Sequence, residues 1–193
     1  MIQHLRVALA RYKAGKGHEA LLSLLLTRDD LPGEWTVVDE RTWLTGQAGP
    51  STPWAERARK KGSVTAWRSF HDGHDRWAWI QIVPLASESD ARMALREAGE
   101  RLLSNPRAAI RVVDEQDVEV EPFAGATVVW AREQRAQHVA TGNFAGLTLL
   151  LAGVVGPNLV VLSLSGTPAW DWELASALAE RQAARLAQDL GRI

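Results

Sequence analysis

The chain contains no cysteine. That excludes disulfides, thiolate nucleophiles and cysteine-ligated metal sites, and it fits a reducing compartment. Neither sign of charge is in excess: 22 basic residues stand against 23 acidic ones, a net charge of −1. No bulk field therefore draws the chain to nucleic acid or to an anionic membrane surface, and neither is expected as a partner. Long hydrophobic runs are missing too. The longest, residues 147–155, contains Gly153 and falls far short of the about 20 residues a membrane span needs. The first residues, Met1-Ile2-Gln3-His4-Leu5-Arg6, carry no long apolar stretch and no small-residue cleavage pattern. No secretory leader is evident, and a cytoplasmic location is the expectation.

Signature motifs are equally scarce. No GxGxxG follows a strand, no GxxxxGK[ST] cradles a phosphate, and no GxSxG, HExxH or EF-hand loop occurs. No cofactor is implied. Tyrosine and phenylalanine are few, one and three, but tryptophan occurs nine times. An indole is large, apolar and needs a partner for its N–H when buried. Nine of them point to a large core or an aromatic-lined cavity, and a core is the simpler reading.

The organising stretch is residues 62–84. Two β-prone runs flank Asp72-Gly73-His74-Asp75, a turn signal, so the segment reads as a hairpin. Pairing Asp72 with Asp75 around a two-residue turn sets Phe70 against Trp77, Arg68 against Trp79, Ala66 against Gln81 and Val64 against Val83. Both faces then come out largely apolar, which requires cover on both sides or a central place in the sheet. Arg68 would lie on Trp79 as a cation–π pair, or simply pack its stem there.

Around the hairpin the chain reads in order. Ile2, Leu5, Leu9 and Tyr12 suggest a short helix, and residues 18–27 a buried one, ended by Asp29-Asp30-Leu31-Pro32-Gly33. Residues 35–38 form a strand, residues 41–53 a loop and residues 54–61 a short helix. Ser87-Glu88-Ser89-Asp90 caps a helix with its apolar stripe at Ala91, Leu95, Ala98 and Leu102. Val112-Val113 and residues 118–120 are short β-like pieces, residues 126–131 a strand, and residues 132–142 a polar, exposed segment. Residues 147–165, turning at Gly156-Pro157-Asn158, form a second hairpin apolar on both faces. Thr167-Pro168 opens a last helix over residues 169–189. No internal repeat, low-complexity tract or linker divides the chain, so residues 1–193 read as a single α+β domain. Its sheet is mainly antiparallel, about six strands built from hairpins, packed by three to four helices.

This element order resembles the PsbP-like sandwich, in which helices pack an antiparallel sheet. The resemblance implies a binding or accessory protein more often than an enzyme, and it transfers no functional residue.

Three functions follow as expectations. The first is a non-catalytic binding module whose small apolar or aromatic ligand sits between sheet and helices, against Trp67, Arg68, Trp77, Trp79 and Trp130. The second is a partner-binding subunit or homodimer, meeting its partner through a sheet edge or through Trp35, Trp43 or Trp54. The third is a metal-dependent hydrolase using His71, His74 and Asp75, because two imidazoles and two carboxylates fall within five residues. A polar hairpin tip explains the same letters. Other charged groupings read as ordinary structure: Gly15-Lys16-Gly17-His18 as a turn, Asp29 and Asp30 as a turn start, Asp114, Glu115 and Asp117 as solvated, and Arg57, Arg59, Lys60 and Lys61 as a helix end.

Overall fold

The computed structural model describes residues 19–45, 52–101 and 110–190. Seven strands form one antiparallel sheet: β1 (Thr36–Leu44), β2 (Val64–His71), β3 (Trp77–Pro84), β4 (Ile110–Asp117), β5 (Val128–His138), β6 (Phe144–Val155) and β7 (Asn158–Gly166). Their spatial order is β1-β2-β3-β7-β6-β5-β4. Helix α1 (Pro53–Lys60) joins β1 to β2, α2 (Glu88–Arg101) joins β3 to β4, and α3 (Trp172–Leu190) follows β7. The class is α+β with an antiparallel sheet, as the hairpin signals predict. The sheet gains a strand over the expected count because residues 110–117 make one continuous edge strand rather than isolated pieces. The expected N-terminal helix at residues 2–12 lies outside the described residues.

Two meanders build the sheet, and pairing of β3 with β7 fuses them, from Trp77 opposite Ser165 to Pro84 opposite Asn158. These two strands are central, so they are apolar on both faces. Residues 41–44, expected as loop, extend β1, because each pairs with β2. Residues 132–138, expected as an exposed polar segment, extend β5 between β4 and β6. Their polarity belongs to a strand whose side chains face ion-pairing partners, a pattern that composition alone reads as loop.

On the first face, Phe70, Ile80, Leu151, Leu162 and Leu164 pack against Leu178, Ala179 and Leu186 of α3 and against Leu25 and Leu26. On the second face, Val83, Ala152, Val154 and Val161 pack against Ala58 of α1 and Ala91, Ala94 and Leu95 of α2. Local sequence places these helices. Thr52 caps α1 by accepting from the Ala55 N–H, with Pro53 at the first helical position. Ser87 Oγ accepts from the Asp90 N–H at the start of α2 (3.2 Å). Asp171, not Thr167, caps α3 by accepting from the Leu174 N–H (2.7 Å). Arg57 of α1 then forks onto the buried Asp90 carboxylate (Nε to Oδ1 3.0 Å, Nε to Oδ2 3.2 Å), tying the two helices together.

Among the described residues before β1, the α-helix covers residues 19–23, and Arg28–Asp30 form one 3-10 turn. The expected helix stops early because side chains from other elements take its carbonyls. Arg68 donates to the Leu22, Leu25 and Leu26 oxygens, Arg185 to Leu25 O (2.6 Å), and Gln182 to Leu24 O (2.8 Å) while accepting from Leu26 N–H. Every strapping donor comes from β2 or α3, so backbone satisfaction is tertiary here rather than helical.

Candidate functional site

The β2–β3 register decides what the second face displays. The observed pairs are His71–Trp77, Ser69–Trp79, Arg68–Ile80 and Trp67–Gln81. This corrects the register expected from a two-residue turn by one residue. The loop spans residues 72–76, closed by the Asp72 N–H donating to Arg76 O (3.3 Å). Asp72 builds it: its Oδ1 accepts from the His74 and Arg76 N–H groups (2.9 and 3.1 Å) and its Oδ2 from Arg76 Nε (2.8 Å). Burial pushes the Asp72 carboxyl up, but the Arg76 guanidinium and those two N–H donors outweigh it and leave the carboxyl lowered to about 2. The loop also presses on Gly166, whose φ is +118° and where a Cβ would overlap the Asp75 carbonyl.

A one-residue slip moves one strand's entire side-chain set to the other face relative to its partner. Arg68 therefore leaves the expected ligand set. It points to the first face, paired with Glu40 and strapping the N-terminal segment, and does not lie on Trp79. The other four expected residues come together. Trp67, Trp77 and Trp79 share the second face, and through Ser163–Trp79, Leu150–Ser163 and Arg132–Leu150 so do Ser163, Leu150 and Arg132. Trp130 follows two residues from Arg132 on that face.

Two cross-strand rows result. One runs Arg41, Trp67, Gln81, Val161, Ala152, Trp130. The next runs Asp39, Ser69, Trp79, Ser163, Leu150, Arg132, Asp117. The α1–α2 cluster reaches these rows at Trp79 and Trp130. Arg41 lies over Trp67 (4.7 Å to the ring centroid) and Arg132 over Trp130 (4.9 Å). Arg132 donates to Asp117 (2.7 Å), and this bond, against partial desolvation, raises its already high pKa. Glu115 takes a second contact from Arg132 (3.5 Å) and accepts from Gln134 (3.2 Å).

Hydrogen-bond accounting separates the indoles. Trp35 donates to Pro32 O (3.1 Å), Trp170 to Ser165 O (3.1 Å) and Trp54 to Glu97 Oε2 (2.9 Å). Among the described residues, the Nε1–H groups of Trp67, Trp79 and Trp130 meet no acceptor. The hydroxyls of Ser69 and Ser163, 5 % and 4 % exposed, likewise have no partner among the described residues. These two serines flank Trp79 on either side. Buried polar groups are nearly always paired, and these two hydroxyls beside the Trp79 indole are exceptions among the described residues.

Ser69, Ser163, Gln81, Arg41 and Arg132 were not singled out by sequence. A signal existed for one of them: Ser163 and Ser165 interrupt the apolar run of β7 with period two, on one face only.

Within the 71–75 cluster, the His71 and Asp72 side chains are engaged in the loop itself. His71 Nδ1 accepts from the Gly73 N–H (3.2 Å), its ring lies 4.2 Å from that of Trp77, and Asp72 holds Arg76. Among the described residues, no three His, Asp or Glu side chains gather as a metal site. No helix among them is long and apolar enough to cross a membrane.

Comparison with known proteins gives fold and nothing finer. No family model matches the chain, and no curated protein does. The crystal structure of the extracellular domain of PknH from Mycobacterium tuberculosis is similar, with a TM-score of 0.51 at 12% identity over 89% of this chain and 96% of that one. An uncharacterised protein from Mycobacterium smegmatis aligns at a TM-score of 0.44 and 11% identity, over 79% of this chain and 87% of that one. The first likeness shows that this sheet-and-helix arrangement occurs in a solved protein.

Proposed function

We propose that the protein is a non-catalytic binding module whose ligand lies on the second face of the sheet, against Trp67, Trp77, Trp79 and Trp130. The observation that carries the reading is the pairing of unused indole N–H groups with the buried, partnerless hydroxyls of Ser69 and Ser163 around Trp79. Recognition sites combine apolar contact area with a few placed polar groups, and this face has both. The resemblance in element order to PsbP-like sandwiches points the same way.

The homodimer reading has less support. Both sheet edges, β1 and β4, carry a bulge, and β1 bears Asp39, Glu40 and Arg41 while β4 bears Asp114, Glu115 and Asp117. Bulges and charges discourage edge-to-edge pairing.

The test is intrinsic tryptophan fluorescence against a small-molecule library, with wild type and Trp79→Ala compared. A saturable change in wild type that is absent in Trp79→Ala supports the reading. A response that Trp79→Ala retains in full moves the site elsewhere and ends it.

A further inference from the structure

We infer that one corner of the sheet, the β5–β6 turn with the start of β4 beside it, docks on the surface of a lipid bilayer. This goes beyond the reading of the second face and does not depend on it. Apolar exposure comes first. Among the described residues six large apolar side chains are exposed, and they divide between the two edges of the sheet. Val37, Val38 and Leu44 lie on β1, in company with Asp39 and Glu40. Val113, Val139 and Phe144 lie at the opposite edge, and Phe144 (61 %) and Val139 (57 %) are the most exposed of the six. Exposed apolar side chains gathered in one place mark a contact surface.

The strand pairing shows that this corner projects. β6 first meets β7 at Leu147 opposite Gly166, whereas β5 pairs with β6 as far out as Gln137 opposite Phe144. β4 begins level with this overhang, Ile110 opposite His138. The three residues from Leu147 to Phe144 carry the tip about 10 Å past the end of β7. The 72–76 loop stays behind: the Asp75 carbonyl lies against Gly166, level with Leu147.

Charge selects the occupant. The net charge of −1 conceals a polarised layout. β4 carries Asp114, Glu115 and Asp117 at its far end, but residues 110–113 and 134–170 contain no carboxylate, and residues 136–170 contain no Asp, Glu, Lys or Arg at all. Two guanidinium groups stand at the base of the tip. Arg111 is exposed and has no acidic partner among the described residues, and Arg135 is 60 % exposed and 3.7 Å from Glu133. An uncharged tip enters the acyl boundary without desolvating an ion, and cations behind it meet anionic headgroups. Interfacial insertion reaches about 5–10 Å, which the overhang supplies. A protein partner fits less well, because a specific interface needs roughly 800 Å² from each side and a projecting tip with three apolar side chains does not make such a face. The docking is peripheral and reversible, since so few apolar side chains anchor less firmly than one acyl chain.

The experiment mixes the full chain with vesicles of phosphatidylcholine, alone or with about a third phosphatidylglycerol, and reads co-sedimentation against lipid concentration. Wild type, Phe144→Ala, Val139→Asp, Arg111→Gln and Val38→Asp are compared, each with its melting temperature, which these changes at exposed positions should leave alone. Expected is saturable binding of wild type, stronger with phosphatidylglycerol. Phe144→Ala weakens it about tenfold or more, and Val139→Asp removes it. Arg111→Gln weakens binding to the anionic vesicles about fivefold and leaves binding to phosphatidylcholine unchanged. Val38→Asp, at the other edge of the sheet, binds as wild type does. Wild type that stays in the supernatant with both vesicles overturns the inference, and so does binding that Phe144→Ala and Val139→Asp retain in full. A concentration-dependent dimer that Phe144→Ala abolishes, without vesicle binding, assigns the corner to a second copy of the chain and overturns it as well.

Discussion

The two faces of one sheet use the same side chain in opposite ways. On the first face, Trp35 and Trp170 are each 6 % exposed, lie 5.3 Å apart and hold Arg76 between them, 5.2 Å from each ring. Their N–H groups end on backbone carbonyls, and Arg76 ends on Asp72. Both indole N–H groups and the Arg76 Nε have partners, and the arrangement ties the 72–76 loop to the segment that leads into α3. On the second face, Trp67, Trp79 and Trp130 are half-buried and their N–H groups meet no acceptor among the described residues. Burial would classify both sets as core-like. Hydrogen-bond satisfaction within the protein tells them apart: the first pair of indoles donates to backbone carbonyls and the second set meets no protein acceptor among the described residues.

The comparison breaks most visibly if the first face proves dispensable. Leu25 is fully buried among α3 and the sheet. Leu25→Ala is expected to cost about 2–5 kcal/mol in chemical denaturation, the range for a buried leucine that leaves a cavity. Ligand affinity per folded molecule should stay unchanged. A cost below about 1 kcal/mol would mean that the N-terminal strap is not part of the core.

Acid sharpens the contrast next. The Asp72 carboxyl is lowered to about 2, so its contribution is present above the ordinary carboxylate value near 3.8 and is lost as pH falls through about 2. Stability should therefore decline between about pH 4 and pH 2, by on the order of 1–2 kcal/mol from this group. Asp72→Asn should flatten that part of the profile and lower stability at pH 7. An unchanged acid limb in Asp72→Asn would remove Asp72 as the loop's organiser.

Smaller still is the effect on the second face. Ser69→Ala and Ser163→Ala should leave the free protein as stable as wild type, or more stable by on the order of 1 kcal/mol, since each deletes a buried hydroxyl without a partner. The comparable change on the first face, Gln182→Ala, removes the partner of two backbone groups of the N-terminal strap. It should destabilise by about 1–3 kcal/mol in the same denaturation assay. If all three variants destabilise equally, the two faces do not differ in polar satisfaction.

Much of this was legible in the residues, and the failures are instructive. The central hairpins and the α2 cap at Ser87 could be read from alternation and turn chemistry. The register could not. Asp72 turns a two-residue loop into a five-residue one through contacts with Arg76, four residues on, and local propensity does not encode that choice. That one slip carried Arg68 away from Trp79 and brought Trp67 to the face of Trp77 and Trp79. The polar half of β5 was hidden for a related reason: Arg132 and Gln134 look like loop residues until Glu115 and Asp117 of β4 stand beside them. The orphan serines were out of reach because an unpaired hydroxyl is defined by its surroundings, and only the folded chain supplies those.

The central claim is tested most directly by hydrogen exchange at the nine indole Nε1–H groups, followed by NMR. Trp35 and Trp170 should exchange slowly, and Trp67, Trp79 and Trp130 quickly. Protection of Trp79 equal to that of Trp35 would contradict the account.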